Sequence, residues 1–305
     1  LPSVCSRAMA EVAHWKNFIY RKEARHWRNF WVRWLPDGTL SEKFRAERIF
    51  KPLSDGSGCT NRIVYHYTDE RGTVKEGPLC GPWTLTEAEC SLSNGFVHPA
   101  RKGMTTLLLP GGGNSAWCWM DASEGQPCAA ELFLHYRDLR MSAGVIHSPD
   151  GSLKQLALIK EDSTGGGSAW PLAFESVGWS ESVEARMCES PNECLGRLGI
   201  LSCKPADGAA THADLRQENL AGVKWRDTLL GSAGPDQRIM LCGDSSIDRV
   251  AIVAPAQKVA GAAFGCAAIW WPQESEMLLT IEVRWDQSGA LASVRHLKFP
   301  IVYDE

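Results

Sequence analysis

Trp34-Leu35-Pro36-Asp37-Gly38-Thr39-Leu40, His147-Ser148-Pro149-Asp150-Gly151-Ser152-Leu153 and Trp285-Asp286-Gln287-Ser288-Gly289-Ala290-Leu291 are three versions of one turn. Each sets an aromatic or imidazole side chain, then polar or proline positions, then a glycine, before a strand-like restart. Glycine takes positive φ without strain, so Pro-Asp-Gly between extended runs predicts a tight hairpin. The second turn runs into Leu153-Lys154-Gln155-Leu156-Ala157-Leu158-Ile159-Lys160-Glu161, and the third into Leu291-Ala292-Ser293-Val294-Arg295-His296-Leu297-Lys298-Phe299. Two such terminal hairpins, half a chain apart, predict two copies of one antiparallel β domain.

The surroundings agree. Between Trp27 and Lys160, about eight short extended runs are separated by turn residues, which argues for a barrel or sandwich and against βαβ units. Among them are Phe30–Trp34, Phe44–Phe50, Arg62–Tyr67, Thr105–Leu109, Ala130–Tyr136 and Val145–His147. Before them, Val12, Trp15, Ile19 and Lys22 fall at helical spacing, predicting a helix over Met9–His26 packed on the first barrel. Ser163-Thr164-Gly165-Gly166-Gly167-Ser168 reads as a linker. The expected organisation is therefore an N-terminal segment and helix (1–26), a first barrel (27–162), a glycine-rich linker (163–169) and a second barrel (170–305).

Composition narrows the function. Hydrophobic residues make up 44% of 305, enough for two cores, and a net charge of −4 gives no global attraction to nucleic acid. The charge is uneven: Lys16–Lys51 holds ten Lys or Arg against four Asp or Glu. That basic stretch suits either a solvated helix and hairpin or a face for an acidic partner or anionic lipid. Thirteen Trp suit a barrel interior, a flat-ligand site or a membrane-edge contact. Eleven Cys without a C-x-x-C pair predict reduced thiols and no metal site. The longest apolar run, Val259–Trp271, has 13 residues, too few to span a bilayer.

The residues Phe30-Trp31-Val32-Arg33-Trp34-Leu35-Pro36-Asp37-Gly38 with Ser41, Phe44, Arg48 and Phe50 open a recognisable domain. Glu131-Leu132-Phe133-Leu134, Asp138-Leu139-Arg140-Met141-Ser142 and Asp150-Gly151 through Leu158-Ile159-Lys160-Glu161 close it. Glu282-Val283-Arg284-Trp285-Asp286-Gln287-Ser288-Gly289 resembles the closing hairpin of a second. Together these resemble a family of cyanobacterial and algal proteins with two calycin (lipocalin-like) barrels, related in fold to the S- and T-type lyases that load bilins onto phycobiliproteins. Arg140-Met141-Ser142, His147 and Trp285 stand where the family favours Arg-Ser-Val, Tyr and Tyr. The resemblance implies an all-β fold of two antiparallel lipocalin-like barrels in tandem. It implies a chlorophyll, carotenoid or bilin ligand, and a setting in an algal plastid, in the stroma or at the stromal face of the thylakoid. Photosystem or light-harvesting proteins are the implied partners.

Within that frame Trp31, Arg48, Tyr65, Trp83, Glu131, His135 and Arg140 are the candidate ligand-binding residues. Trp27 and Trp31 share a strand face, Trp34 takes the other, and Trp83, Trp117 and Trp119 could line a flat cavity. Glu131 and Arg140 would form a pair, either clamping a carboxylate or propping the barrel, with the guanidinium stacked under a Trp of the first strand such as Trp31. His66, His135 and His147 lie on strands, where an imidazole can ligate a chlorin metal or simply satisfy the core. Cys59, Cys80 and Cys118 are candidate bilin-accepting thiols. No nucleophile, phosphate-loop or metalloprotease motif is present; Gly111-Gly112-Gly113-Asn114 lacks the Lys or helix of a phosphate site. The expectation is a binding protein without chemistry of its own. Its rivals are a peripheral photosystem subunit or assembly factor with side-chain-filled barrels, and a lyase-like or isomerase enzyme.

Overall fold

A left-handed residue is needed where each repeated turn reverses. In the computed structural model Gly38, Gly151 and Gly289 have φ of 87°, 85° and 86°, a region glycine enters at little cost. The same two backbone bonds close all three turns, at 2.9–3.0 Å: Gly38 N–H to Leu35 O with Leu35 N–H to Thr39 O, and their counterparts at Ser148–Ser152 and Asp286–Ala290. The strand register slips beside each turn, at Arg33/Trp34, Leu153/Gln155 and Arg284/Trp285, as a type I turn with a glycine bulge requires. Asp37, Asp150 and Asp286 lock them by accepting the backbone N–H two residues on, at 2.8–2.9 Å.

The structure describes residues 15, 26–68, 74–89, 96–98, 101–108, 114–163, 185–188, 202–203, 209–211, 217–218, 236–242, 249–272 and 275–302. The expected helix over Met9–His26 lies outside them apart from Trp15, which is helical and buried, and His26; the Thr164–Ser168 part of the linker and Gly111–Gly113 also lie outside. The described residues are otherwise strands, turns and one short 3-10 turn, Glu87–Glu89.

The first lobe is a ten-stranded antiparallel sheet: β1 (Trp27–Trp34), β2 (Leu40–Pro52), β3 (Gly58–Thr68), β4 (Val74–Thr86), β5 (Phe96–His98), β6 (Arg101–Leu108), β7 (Ser115–Trp119), β8 (Cys128–Tyr136), β9 (Leu139–His147) and β10 (Leu153–Asp162). Its order is β4-β3-β2-β1-β10-β9-β8-β7-β6-β5. Every neighbour follows in sequence except β1 and β10, so the sheet is a meander whose first and last strands join. It has two more strands than the eight or so expected. The three-residue β5 is too short to show alternation, and the small residues Ser142, Ala143 and Gly144 hide the first half of β9.

Among the described residues the second lobe forms a nine-stranded sheet: β11 (Ala185–Cys188), β12 (Ser202–Cys203), β13 (Ala209–Thr211), β14 (Gln217–Glu218), β15 (Gln237–Cys242), β16 (Arg249–Pro255), β17 (Phe264–Trp271), β18 (Met277–Trp285) and β19 (Leu291–Val302). They run β11-β15-β16-β17-β18-β19-β13-β14, with β12 also against β19. No described strand is shared between the two sheets.

Alternation gives each sheet two apolar faces. In the first lobe Phe30, Val32, Trp34, Leu132, Leu134, Met141, Ala143 and Leu158 point one way. In the second, Ile252, Cys266, Trp270, Leu279, Ile281, Val283 and Trp285 do the same, and both sets form one continuous core between the lobes. Trp34, expected on the strand face opposite Trp31 and either facing outward or capping an edge, does face away from the first lobe's interior, but it is buried in this shared core.

The lobes interlock about a pseudo-twofold axis. Leu291 N–H donates to Met120 O (2.9 Å) and Ala122 N–H to Gly289 O (2.7 Å); symmetrically, Leu153 N–H donates to Ala256 O (2.9 Å) and Lys258 N–H to Gly151 O (2.7 Å). Each lobe's terminal hairpin thus clasps the other's preceding turn. The residues before the two hairpins play matching parts: Trp285 Nε1 donates to Trp119 O at 2.8 Å, and His147 Nε2 to Pro255 O at 3.0 Å. In both clasping copies a ring N–H, from an indole or an imidazole, makes the bond across the lobes.

Candidate functional site

The other face of the first sheet curls around its own interior. Cross-strand partners share a face, so Trp31↔Phe44, Ala46↔Tyr65, Arg48↔Ile63 and Asn61↔Trp83 carry the inward set from β1 to β4. Glu131↔Gly144 and Gly144↔Ala157 carry it across β8, β9 and β10. Where the wall is small, at Ala129, Gly144 and Ala157, and the facing strands bring Trp31, Tyr65 and Trp83, a cavity of about 300 Å³ remains.

Five of the seven candidate residues line it: Trp31, Arg48, Tyr65, Trp83 and Glu131. Trp31 stacks on Phe44 at 5.4 Å and 14°, and Phe44 meets Tyr65 edge-on at 5.5 Å. The Arg33 guanidinium lies over both Trp31 (5.2 Å) and Phe44 (4.9 Å) and bonds Glu42 at 2.6 Å. Two polar groups in the wall keep capacity for a ligand. Glu131 Oε1 accepts from Ser142 Oγ at 3.0 Å, and the buried indole N–H of Trp31 reaches no acceptor. Of the candidate thiols, only Cys80 lines the cavity. Cys59 is buried in the cluster at the cavity's closed end, and burial in the inter-lobe core pushes the Cys118 thiol up. None of the six cysteines with described side chains is in a disulfide.

The other two candidates sit elsewhere on the inward face. Arg140 pairs with Glu161, not Glu131: both are fully buried, the Arg140 Nε–H donates to Glu161 Oε2, and its Nη2–H to Oε1 at 2.9 Å. The register explains the correction. Arg140 faces His135 while Glu131 faces Gly144, four strand positions or about 13 Å apart. The aromatic platform also differs from expectation: the guanidinium lies 4.2 Å from the Trp27 ring and 5.0 Å from Phe133, not over Trp31. Asn29 Nδ2 donates to Glu161 Oε1 at 2.8 Å, and His135 meets Trp27 edge-on at 5.7 Å. This cluster, with Trp15, Trp27, Phe50, Trp117 and Phe133 around it, closes one end of the interior. Trp117 and Trp119 therefore pack the closed end and its margin instead of lining the cavity. His66 lies outside the cavity, 3.7 Å from Glu47 on the opposite face, and His147 belongs to the inter-lobe contact.

Glu161 could have been found. It alternates with Leu156 and Leu158 on a strand whose last residues, Lys160, Glu161 and Asp162, look like a solvated charged end, yet all three are buried. Arg33, Ser142, Ile63 and Met104 carry no signal in the sequence beyond strand parity.

A larger open cleft of about 550 Å³ lies where the hairpins interlock. Its lysine, Lys258, is committed: Nζ donates to Ala122 O, Ser123 O and Gln126 O at 2.9–3.0 Å. The smaller cavity has the aromatic walls and the polar groups with remaining capacity, so it is the better candidate for a ligand site.

Two antiparallel sheets sharing a core, one of them curled around an aromatic-walled cavity, define an all-β, β-barrel-like protein with an internal cavity. The chain belongs to the DUF3598 family, a domain of unknown function whose N-terminal part matches residues 11–166. A protein of unknown function from that family in Nostoc punctiforme, solved by crystallography, shares the fold at 13% identity over 95% of this chain and 99% of that one, with a TM-score of 0.57. An S-type phycobiliprotein lyase from Guillardia theta aligns at 12% identity over 54% of this chain and 100% of its own, with a TM-score of 0.29. No curated protein matches the chain.

Proposed function

We propose that the protein binds a flat, lipophilic, conjugated molecule in the first-lobe cavity and performs no chemistry on it. The ligand class is bilin, carotenoid or chlorophyll, each lobe is a lipocalin-like barrel, and the setting is the photosynthetic apparatus of an algal plastid, as the family resemblance implies. One observation carries this reading: Trp31, Tyr65 and Trp83 line one unfilled volume of about 300 Å³. Aromatic walls with a few fixed polar groups are the usual make-up of a small-molecule site, and rings stack offset or edge-on with a conjugated guest. The cavity favours a ligand over the rival of side-chain-filled barrels. At about 300 Å³ it stands at the lower end of the ligand-site range, so a tetrapyrrole or carotenoid would insert one end, with the Glu131 carboxylate accepting an N–H or O–H and the Trp31 indole donating to a carbonyl.

The test is a titration of the full chain with biliverdin, followed by tryptophan quenching, against a variant with the cavity filled. Ala157 lies in the cavity wall, and Ala157→Leu has room to occupy it. Affinity should fall at least tenfold with an unchanged near-UV spectrum. Equal affinity in both proteins would place the ligand elsewhere.

A further inference from the structure

Asn114 stands immediately before β7 and is buried. The ladder between β7 and β8 ends at Ser115↔Phe133, so the His135 N–H lies past the last paired residue of β7. The Asn114 side chain takes it: Oδ1 accepts that N–H at 2.8 Å. The amide nitrogen of Asn114 reaches into the second lobe, 2.8 Å from Nε2 of His296 on β19. The other ring nitrogen of His296, Nδ1, is 2.7 Å from Thr280 O on β18. Asn114, His296 and Thr280 are all buried. The two ends of this three-bond bridge fix the protons within it. A backbone N–H can only donate, so the Asn114 oxygen faces His135 and its NH2 faces His296. His296 Nε2 is then the acceptor, and the ring proton sits on Nδ1, where Thr280 O accepts it. The bridge therefore exists for one protonation state, the neutral imidazole.

A proton added at Nε2 turns that acceptor into a donor and sets N–H against N–H. Asn114 cannot restore the bond by turning its amide over, because the NH2 would then face the His135 N–H. Buried donors left without acceptors are costly. The cross-strand neighbours of His296, Ile281 on β18 and Ala210 on β13, are apolar. Lys298, two residues along, shares its strand face, Tyr136 of β8 packs against the same core, and Glu282 and Arg295 take the opposite face. We infer that Asn114 and His296 form a proton-operated latch between the lobes, closed while the imidazole is neutral and released when acid charges it. What it holds is the end of β8, the strand that carries Ala129, Ala130 and Glu131 of the first-lobe cavity wall. The protonation of a second-lobe histidine thereby governs how firmly a first-lobe wall is held.

Amide hydrogen exchange of the full chain tests this without any ligand, so its outcome is independent of the proposed binding. Protection of the Glu131–Tyr136 segment is read by mass spectrometry at about pH 7.5 and about pH 5.5, within the range where histidine changes charge, and corrected for intrinsic exchange. In the wild type it should fall at least tenfold in acid. In His296→Gln the amide supplies one acceptor and one donor without titrating, and the fall should vanish. In Asn114→Asp the carboxylate accepts from both the His135 N–H and the charged imidazole, so protection should hold or rise in acid, a reversal that a merely structural bridge would not show. If His296→Gln loses its near-UV spectrum, Asn114→Asp carries the test. Were the His135 ring, which meets Trp27 edge-on, the titrating group instead, the fall would persist in both variants. A fall that persists in either folded variant, or wild-type protection equal at the two pH values, overturns the inference.

Discussion

Arg140 shows how much one residue's partner decides. Its guanidinium and the Glu161 carboxylate are both wholly removed from solvent. Each is tolerable only because the other is there, with Asn29 and the Trp27 face completing the shell. Arg140→Leu should therefore cost about 3–5 kcal/mol, because it leaves the Glu161 charge buried alone. The urea midpoint would register it, with biliverdin affinity falling only as far as the folded fraction does; an unchanged midpoint would count against the pair. The second lobe shows the apolar alternative at the same rung, where Leu278 faces Phe299, both fully buried. Arg140→Leu with Glu161→Phe should accordingly regain most of the lost stability, since replacing a buried pair by apolar groups is often neutral. The cavity's aromatic residues were legible because strand parity alone puts Trp31, Tyr65 and Trp83 inward. The partner of Arg140 was not. Ser142-Ala143-Gly144 disguises the strand whose register separates it from Glu131, and Lys160-Glu161-Asp162 imitates a solvated end.

At the scale of elements, the repeated turn was legible in full, since a glycine with positive φ and an aspartate lock leave a local signature. What it does was not. Two of its three copies are the clasps between lobes, a non-local fact that no window of sequence contains. His147 is the titratable part of one clasp. Burial, and secondarily the positive charge of Lys258, hold its pKa below the usual 6.5, against the opposing bond to Pro255 O. The folded state thus binds fewer protons than the unfolded chain below that value. Stability should be independent of this group above about pH 6.5 and fall as pH drops below it, levelling only beneath the depressed folded pKa. His147→Gln, which keeps a donor for Pro255 O, should flatten that part of the profile in urea melts from pH 7 to 5. An unchanged slope would mean that another group is responsible. Gly151 tests the same clasp sterically: at φ 85°, a Cβ would stand 2.4 Å from Lys258 O, so Gly151→Ala should lower the melting temperature by several degrees.

For the molecule as a whole, the shared core makes the two lobes one cooperative unit. Trp285 stacks on Phe264 at 4.8 Å and bonds Trp119 O across the boundary. Trp285→Ala should cost about 3–5 kcal/mol, and both lobes should still melt together, with fluorescence and far-UV dichroism coincident. Two separated transitions would show independent domains. The central claim is that the first-lobe cavity receives a conjugated ligand, and the chain's own indoles report on it most directly. In an ¹H–¹⁵N spectrum of the full chain, assigned by Trp31→Phe, Trp83→Phe and Trp285→Phe, the Trp31 N–H has no acceptor and Trp285 is already bonded. Adding biliverdin should shift the Trp31 and Trp83 signals and leave Trp285 in place. A spectrum in which Trp31 and Trp83 stay fixed while other indoles move would contradict the account.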